Sequence, residues 1–281
     1  MKDSENYFYA NEDVNHFDAT AEMSQPEYTL LNESAAKLLS RSLGRGESDF
    51  NPIVLDLGAG TGAETIALLR LIPHAEVVAF DLSQEMLDKM KQKIENEFGE
   101  MANVAYRQGD VNDAQWTANA LKAANSSNSE YDAVISGFLI HHYDEKQRAE
   151  LYSRVYDCLR RGGVFINIDL FDYQSPTMSQ YSREVGEDWI SVQFSDRAHD
   201  AYQGTAKALG NQLGVLRTKW IDHLQHENVP SPVETHSNGL GPGVKISGQK
   251  DSNAELLFQA GFIEVACPIR FWQAGVLWAK R

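Results

Sequence analysis

Cysteine is nearly missing from this chain. Two occur in 281 residues, Cys158 and Cys267, without CxxC spacing. That excludes a disulfide-stapled scaffold and a cysteine-based zinc site, and reads as two buried thiols. Positive charge is scarce as well: 25 Lys and Arg stand against 40 Asp and Glu, for a net charge of −15 and a pI of about 4.9. With no Lys/Arg-rich run to offset it, an acidic surface repels phosphate backbones, so no nucleic-acid partner is expected. No apolar run reaches the ~18 residues of a membrane span, so no membrane partner is expected either. The opening "MKDSENYFYANEDVNHF" lacks the apolar core of a signal peptide. A cytoplasmic setting fits these absences. No internal repeat is visible.

What is present is ample apolar material, 42% of residues, in two distinct rhythms. Residues 29–43 carry apolar positions at helical spacing, closed by Gly44 and Gly46. From Ile53, short apolar runs alternate with helical patterns: IVLDL, EVVAF, NVAYRQG, YDAVISGFL and VFINIDLF are the strands. Ser83 is placed to cap a helix with Met86, Leu87, Met90 and Ile94 on one face, and EKQRAELYSRVYDCLR is a helix closed by Gly162 and Gly163. Such alternation implies a doubly wound α/β fold with a mostly parallel sheet. Past Phe171 the rhythm breaks: residues 174–228 read as helices, and residues 227–252 as a Pro/Gly/Ser-rich loop. NAELLFQAGF is a helix, and IEVACPIRF and AGVLWAKR form an antiparallel pair, making seven strands. The expected division is an N-terminal helical lid (1–50), a Rossmann-like core (51–173), a helical cap with the long loop (174–250), and a C-terminal helix and strand pair (251–281).

The turn after the first strand, "DLGAGTGAET", concentrates glycine where ligands bind in open α/β sheets. The glycines are not a clean dinucleotide fingerprint, although Ala63 stands in its last position, so on this turn alone an NAD-dependent oxidoreductase stays open. Three acidic residues mark strand tips: Asp56, Asp81 and Asp110. Asp81 lies 21 residues after Gly60, where a carboxylate can accept from both ribose hydroxyls, or serve as a turn or cap residue. Together the three suit a nucleoside.

These motifs resemble those of class I S-adenosylmethionine-dependent methyltransferases: VLDLGAGTG, FDLSQEML, GDV, YDAVISGFLIHHY and LRRGGVFINID, over roughly residues 51–171. The resemblance implies S-adenosylmethionine as cofactor and a role for each matching residue. Gly58, Ala59, Gly60 and Gly62 would line its methionine part, after Asp56. Asp81 would hold the ribose, with Leu82 and Met86 beside the adenine. Gly109, Asp110 and Val111 would read the adenine edge, and Ser136 and Gly137 would face the methionine amino group. The N-terminal "HFDATAEMSQPEY" and the later "VPSPVETH" are similar to a small-molecule branch that includes carboxy-S-adenosylmethionine synthase. Met23 stands where that branch has a tyrosine, and Tyr28 matches its later one.

His141, after the fourth strand, is the candidate general base, with a loop or capping role as the alternative; His142 is the weaker candidate. Asp169 and Asp172 could face an acceptor amine or a metal, but no third oxygen ligand presents itself, so no metal is expected. His223 and His226, three apart, also lack a third ligand. Phe171, Tyr173, Tyr181, Trp189 and Phe194 could line an apolar acceptor pocket or be plain core. The reading is methyl transfer to an O or N of a small-molecule acceptor. The alternatives are a carboxy-S-adenosylmethionine-synthase-like enzyme using Arg183 or Arg197, and a non-catalytic cofactor-binding regulator. A homodimer is compatible with the free edge strands.

Overall fold

The computed structural model describes residue 14 and residues 17–25, 27–44, 51–99, 102–121, 130–171, 176–192 and 253–281. Two helices, α1 (Phe17–Ser24) and α2 (Tyr28–Ser42), precede the sheet. Then come β1 (Ile53–Leu57), α3 (Ala63–Leu69), β2 (Glu76–Asp81), α4 (Gln84–Phe98), β3 (Asn103–Gln108), α5 (Trp116–Leu121) and β4 (Tyr131–Gly137). A 3-10 turn (Ile140–His142) leads to α6 (Glu145–Cys158) and β5 (Leu159–Leu170). After α7 (Pro176–Val192) the described chain resumes with α8 (Asn253–Ala260), β6 (Glu264–Phe271) and β7 (Ala274–Lys280).

The seven strands form one sheet in the order β3-β2-β1-β4-β5-β7-β6, parallel except where β7 runs antiparallel to β5 and β6. Every residue of β1 is buried, as expected of a central strand covered on both faces. The order reverses between β1 and β4, and a crevice opens there at the carboxyl ends of the strands.

Alternation along β1 divides its side chains between two cores. Val54 joins Leu31 and Leu39 of α2, Leu68 of α3, and Leu87 and Met90 of α4. Leu55 and Leu57 face the other way, toward Trp116 of α5, Val155 of α6 and Leu257 of α8. Asp56 shares the Val54 face and is fully buried beneath α3. Local signals start the helices as read. Ser83 accepts from Met86 N–H at 3.3 Å, and the buried stripe of α4 is Met86, Leu87, Met90 and Ile94. Asp144 and Gln147 form a reciprocal capping box on α6.

Some expectations shift. α6 ends at Cys158 rather than at the glycines, because β5 begins at Leu159 and carries Gly162 and Gly163 within it. Tyr131 pairs Leu159 but Ala133 pairs Val164, so the extra residues are absorbed as an irregularity at the edge of the ladder. Phe171 is fully buried in the second core, Tyr181 is exposed and Trp189 is half-buried against the first core, so these three do not make an acceptor pocket. Cys158 is buried and Cys267 half-buried. Burial pushes both thiols up, to about 12 and about 11, which leaves them unreactive at neutral pH. The 227–252 loop, Asp172, Tyr173, Phe194, Arg197, His223, His226 and the side chain of Met23 lie outside the described residues.

A buried polar bond helps to dock the C-terminal helix: Tyr152 Oη donates to Asn253 Oδ1 at 2.8 Å. Tyr152→Phe deletes the donor and leaves that oxygen unmatched, which should cost about 1–3 kcal/mol. Urea unfolding measures it; an unchanged midpoint would show that α8 docks by apolar contact alone.

Candidate active site

The crevice between β1 and β4 is lined by eighteen described residues drawn from α1, α2 and a residue between them, the glycine turn, α3, β2, α4, the tips of β4 and β5 and the segment after β4. The glycine turn forms its floor. Gly58, Gly60 and Gly62 all have positive φ, at 74°, 50° and 86°. Any other residue would be strained there. A Cβ on Gly58 would also meet Leu139 Cδ2 at 2.8 Å. The turn is stitched to the tip of β2. Gly58 N–H and Ala59 N–H both donate to Phe80 O, at 2.8 and 3.1 Å, and Gly60 N–H donates to Asp81 Oδ2 at 2.8 Å. The other Asp81 oxygen accepts from Ser83 N–H at 2.8 Å. Asp81 is therefore both a turn aspartate and a wall of the crevice.

Two further carboxyls sit near the turn. Asp56 accepts from Thr65 Oγ1 at 2.5 Å, while its Oδ1 has no partner among the described residues. Glu64, in the first turn of α3, is 4% exposed and lines the crevice. Desolvation raises both acids well above the carboxylate range; the charge of Asp81 adds to the rise of Asp56, and that of Asp56 to the rise of Glu64. Desolvation raises Asp81 as well, against the hydrogen bonds from Ser83 and Gly60.

The far wall is aromatic. Phe138 has a φ of 49°, a strained conformation for a bulky residue. Its ring stacks on Tyr28 with centroids 5.7 Å apart. Phe17 and Ala21 of α1 close the same side. Asp18 of α1 accepts from Thr61 Oγ1 and binds Lys93 Nζ at 2.8 Å, fastening α1 to the glycine turn.

His141 and His142 follow, their rings 4.1 Å apart, and both line the crevice. His141 Nδ1 is paired with Asp169 Oδ1. Asp169, 1% exposed at the end of β5, also accepts from Ile140 N–H and His141 N–H, both at 3.1 Å, from Asn167 Nδ2 at 3.2 Å and from Leu170 N–H at 2.9 Å. Asp169 thus faces His141 inside the protein, not an acceptor amine or a metal. Among the described residues no cluster fit for a metal ion occurs.

Of the residues singled out from sequence, Tyr28, Gly58, Ala59, Gly60, Asp81, Met86, Gly137 and His141 line the crevice. Asp56 lies beneath it. Gly62 backs onto Met90, where a Cβ would come within 2.5 Å of Cγ. Ser136 is fully buried and donates to Leu57 O at 2.8 Å, tying β4 to β1. Gly109 N–H donates to Asp81 O at 2.8 Å, so the β3 tip abuts the β2 tip. Leu82 points outward. Asp110 Oδ1 is turned to Asn112 N–H at 2.8 Å, and Val111 joins the second core. Phe17, Thr61, Glu64, Phe138 and Leu139 also line the crevice and had drawn no attention as site residues. Only the "FD" of the N-terminal segment and the lone charge after the glycines hinted at two of them.

Residues 54–163 match the model of the methyltransferase domain family. Over these residues the chain carries a methyltransferase domain. It is 28% identical over 227 residues to carboxy-S-adenosyl-L-methionine synthase of Desulfotalea psychrophila, covering 80% of this chain and 82% of that protein. It is 25% identical over 229 residues to the mitochondrial 2-methoxy-6-polyprenyl-1,4-benzoquinol methylase of Caenorhabditis elegans, covering 77% and 76%. An O-methyltransferase family protein from Burkholderia thailandensis shares the methyltransferase fold at a TM-score of 0.58 and 12% identity, covering 99% of this chain. This chain spans 62% of the length of that structure. The described crevice suits the donor: it offers carboxyls and aromatic rings to a sulfonium cation, and a glycine turn open to close approach.

The raised carboxyls make the ligand-free domain sensitive to pH. A buried acid with a raised pKa favours the fold while neutral, so its contribution falls away as pH rises. For Asp56 that loss runs from 3.8, its ordinary value, up through about 7. Asp56→Asn should therefore reduce the fall in Tm between about pH 4 and about pH 7. Several degrees are expected, since each kcal/mol shifts Tm by roughly 2–4 °C at this size. Parallel Tm–pH curves for variant and wild type would contradict it.

Proposed function

We propose that this protein transfers a methyl group from S-adenosylmethionine to an oxygen or nitrogen of a small-molecule acceptor, with His141 as general base. The observation that carries it is the His141–Asp169 pair in the wall of the crevice. Bound S-adenosylmethionine supplies an electrophilic methyl on a sulfonium. The protein's part is to align the acceptor, exclude water and remove a proton. Asp169 accepts the hydrogen bond of His141 Nδ1–H, leaving Nε2 as the basic nitrogen of the ring. The same carboxylate supports the imidazolium that follows proton transfer. The stacked rings of Tyr28 and Phe138, with Phe17, shield the reacting centre from water.

In this reading Gly58, Ala59 and Gly60 would hold the methionine part of the donor. Asp81, fixed by two backbone N–H groups, keeps lone pairs for the ribose hydroxyls. Met86, with Leu82, Asp110 and Val111 at the β2 and β3 tips, would hold the adenine. The apolar walls and acidic surface favour an uncharged or cationic small molecule in the cytoplasm over a polyanion.

A second reading is carboxylation of the donor itself, favoured by the relative from Desulfotalea psychrophila, whose alignment covers most of both chains. That chemistry calls for a guanidinium near the methyl. Arg183 is half-buried on α7 and does not line the crevice, and Arg197 lies outside the described residues.

Mass spectrometry of small molecules released from the purified protein, followed by turnover across O and N acceptors, separates the two. An acceptor heavier by one CH2 supports methyl transfer; a donor heavier by one CO2 supports the second reading. His141→Gln should lower kcat by roughly 10²–10⁴-fold, with donor affinity nearly unchanged. Asp169→Asn should lose rate in the same way, since it leaves the ring without its orienting anion. Asp81→Ala should weaken donor binding several-fold or more; equal affinity would sink the ribose assignment.

A further inference from the structure

Glu64 has no assigned part in the reaction, yet it holds an unusual place. Its side chain is 4% exposed and lines the crevice. Its Oε1 occupies the space that a Cβ on residue 137 would need, so glycine at the β4 tip is what admits the carboxyl there. Among the described residues, the hydrogen bond to this carboxyl comes from its own backbone N–H. The groups facing it are Asp56 from β1, Lys93 from α4, Asp18 from α1 and Tyr28 from α2. Asp81 of β2 and His141 and His142 of the 3-10 turn share its wall. Lys93 is the fixed positive charge in this set, and Asp18 already holds its ammonium at 2.8 Å.

A carboxylate buried to this degree without a cation of its own is costly in its ionised form. It stays neutral until positive charge arrives. S-adenosylmethionine carries a sulfonium and an ammonium against one carboxylate. Its demethylated product, S-adenosylhomocysteine, has lost the sulfonium charge.

We propose that Glu64 is the counter-ion of the cationic donor: its carboxyl holds a proton in the ligand-free crevice, releases it to solvent when S-adenosylmethionine binds, and thereby favours the donor over its uncharged-sulfur product. The inference rests on the donor reading above. In the step, the carboxyl O–H bond breaks, the proton passes to bulk water and the electron pair stays on the oxygen facing the cation. Burial, reinforced by Asp56, raises this carboxyl to about 8 in the ligand-free protein, so the proton is in place at neutral pH. Donor affinity then rises with pH up to about 8, and product affinity rises less.

Isothermal titration of wild type and Glu64→Gln tests this, with S-adenosylmethionine and S-adenosylhomocysteine in buffers of different ionisation enthalpy, from about pH 6 to about pH 9. Wild type should release about half a proton or more per donor bound at neutral pH, above the amount released with the product. Glu64→Gln should abolish that excess and weaken donor binding roughly ten-fold or more at the alkaline end, equivalent to one pKa unit of coupling, with product binding changed far less. If both ligands bind wild type and the variant keeps the same preference and proton count, the Glu64 inference is overturned while the donor reading stands. If neither ligand binds wild type, the donor reading fails and this inference with it. The wild-type proton count is decisive even should the variant fold poorly: no excess over the product overturns the proposal.

Discussion

The hydrogen bonds from Gly60 N–H and Ser83 N–H to the two oxygens of Asp81 fix the geometry on which the site depends. A turn with three glycines is the most mobile kind of backbone, and its conformational entropy opposes a single shape. Asp81 removes that freedom by joining the β1 turn to the β2 tip. The same two bonds fix the carboxylate's direction, so its remaining lone pairs address the crevice and not the turn. Phe80 O, taking Gly58 N–H and Ala59 N–H, completes the seam.

Around that seam the protein gathers acids and excludes counter-charges. Asp56 and Glu64 are buried with little to balance them, and their cost is borne in the ligand-free state. Strain collects in the same place, at Phe138 with φ 49° and at Glu27, which precedes Tyr28, with φ 57°. These two residues set up the stacked pair that closes the aromatic wall. Unfavourable backbone and unfavourable charge thus concentrate where a cationic ligand with an aromatic base would relieve them.

The sheet, its seven strands and most of the helices that cover it were legible because each strand is a short apolar run and helices such as α4 carry their own cap and stripe, here Ser83 and the Met86–Ile94 stripe. Helix α5, six residues set in a polar stretch, was not. The end of α6 was not legible, since Gly162 and Gly163 look like a helix stop and only pairing with β4 draws them into β5. In the site, the glycine turn, Asp81 and His141 announced themselves by position. The turn around Asp110 was not legible, since its carboxylate accepts from the backbone and side chain of Asn112, a contact that the motif does not record. Asp169, read as facing outward from a strand tip, turns inward because Ile140, His141, Asn167 and Leu170 together supply it with donors.

By itself the sequence determined the fold class, the end of the sheet that carries the site and the kind of cofactor, since these follow from local periodicity and from short motifs whose chemistry acts over a few residues. Tertiary structure alone decided which carboxyls meet. Asp169 and His141 lie 28 residues apart, and Asp18 and Lys93 75 apart, in pairings that no local pattern records. It also decided the state of Glu64: protonation depends on burial and on neighbours brought from four separate elements, and burial is a property of the packed chain, not of any segment of it.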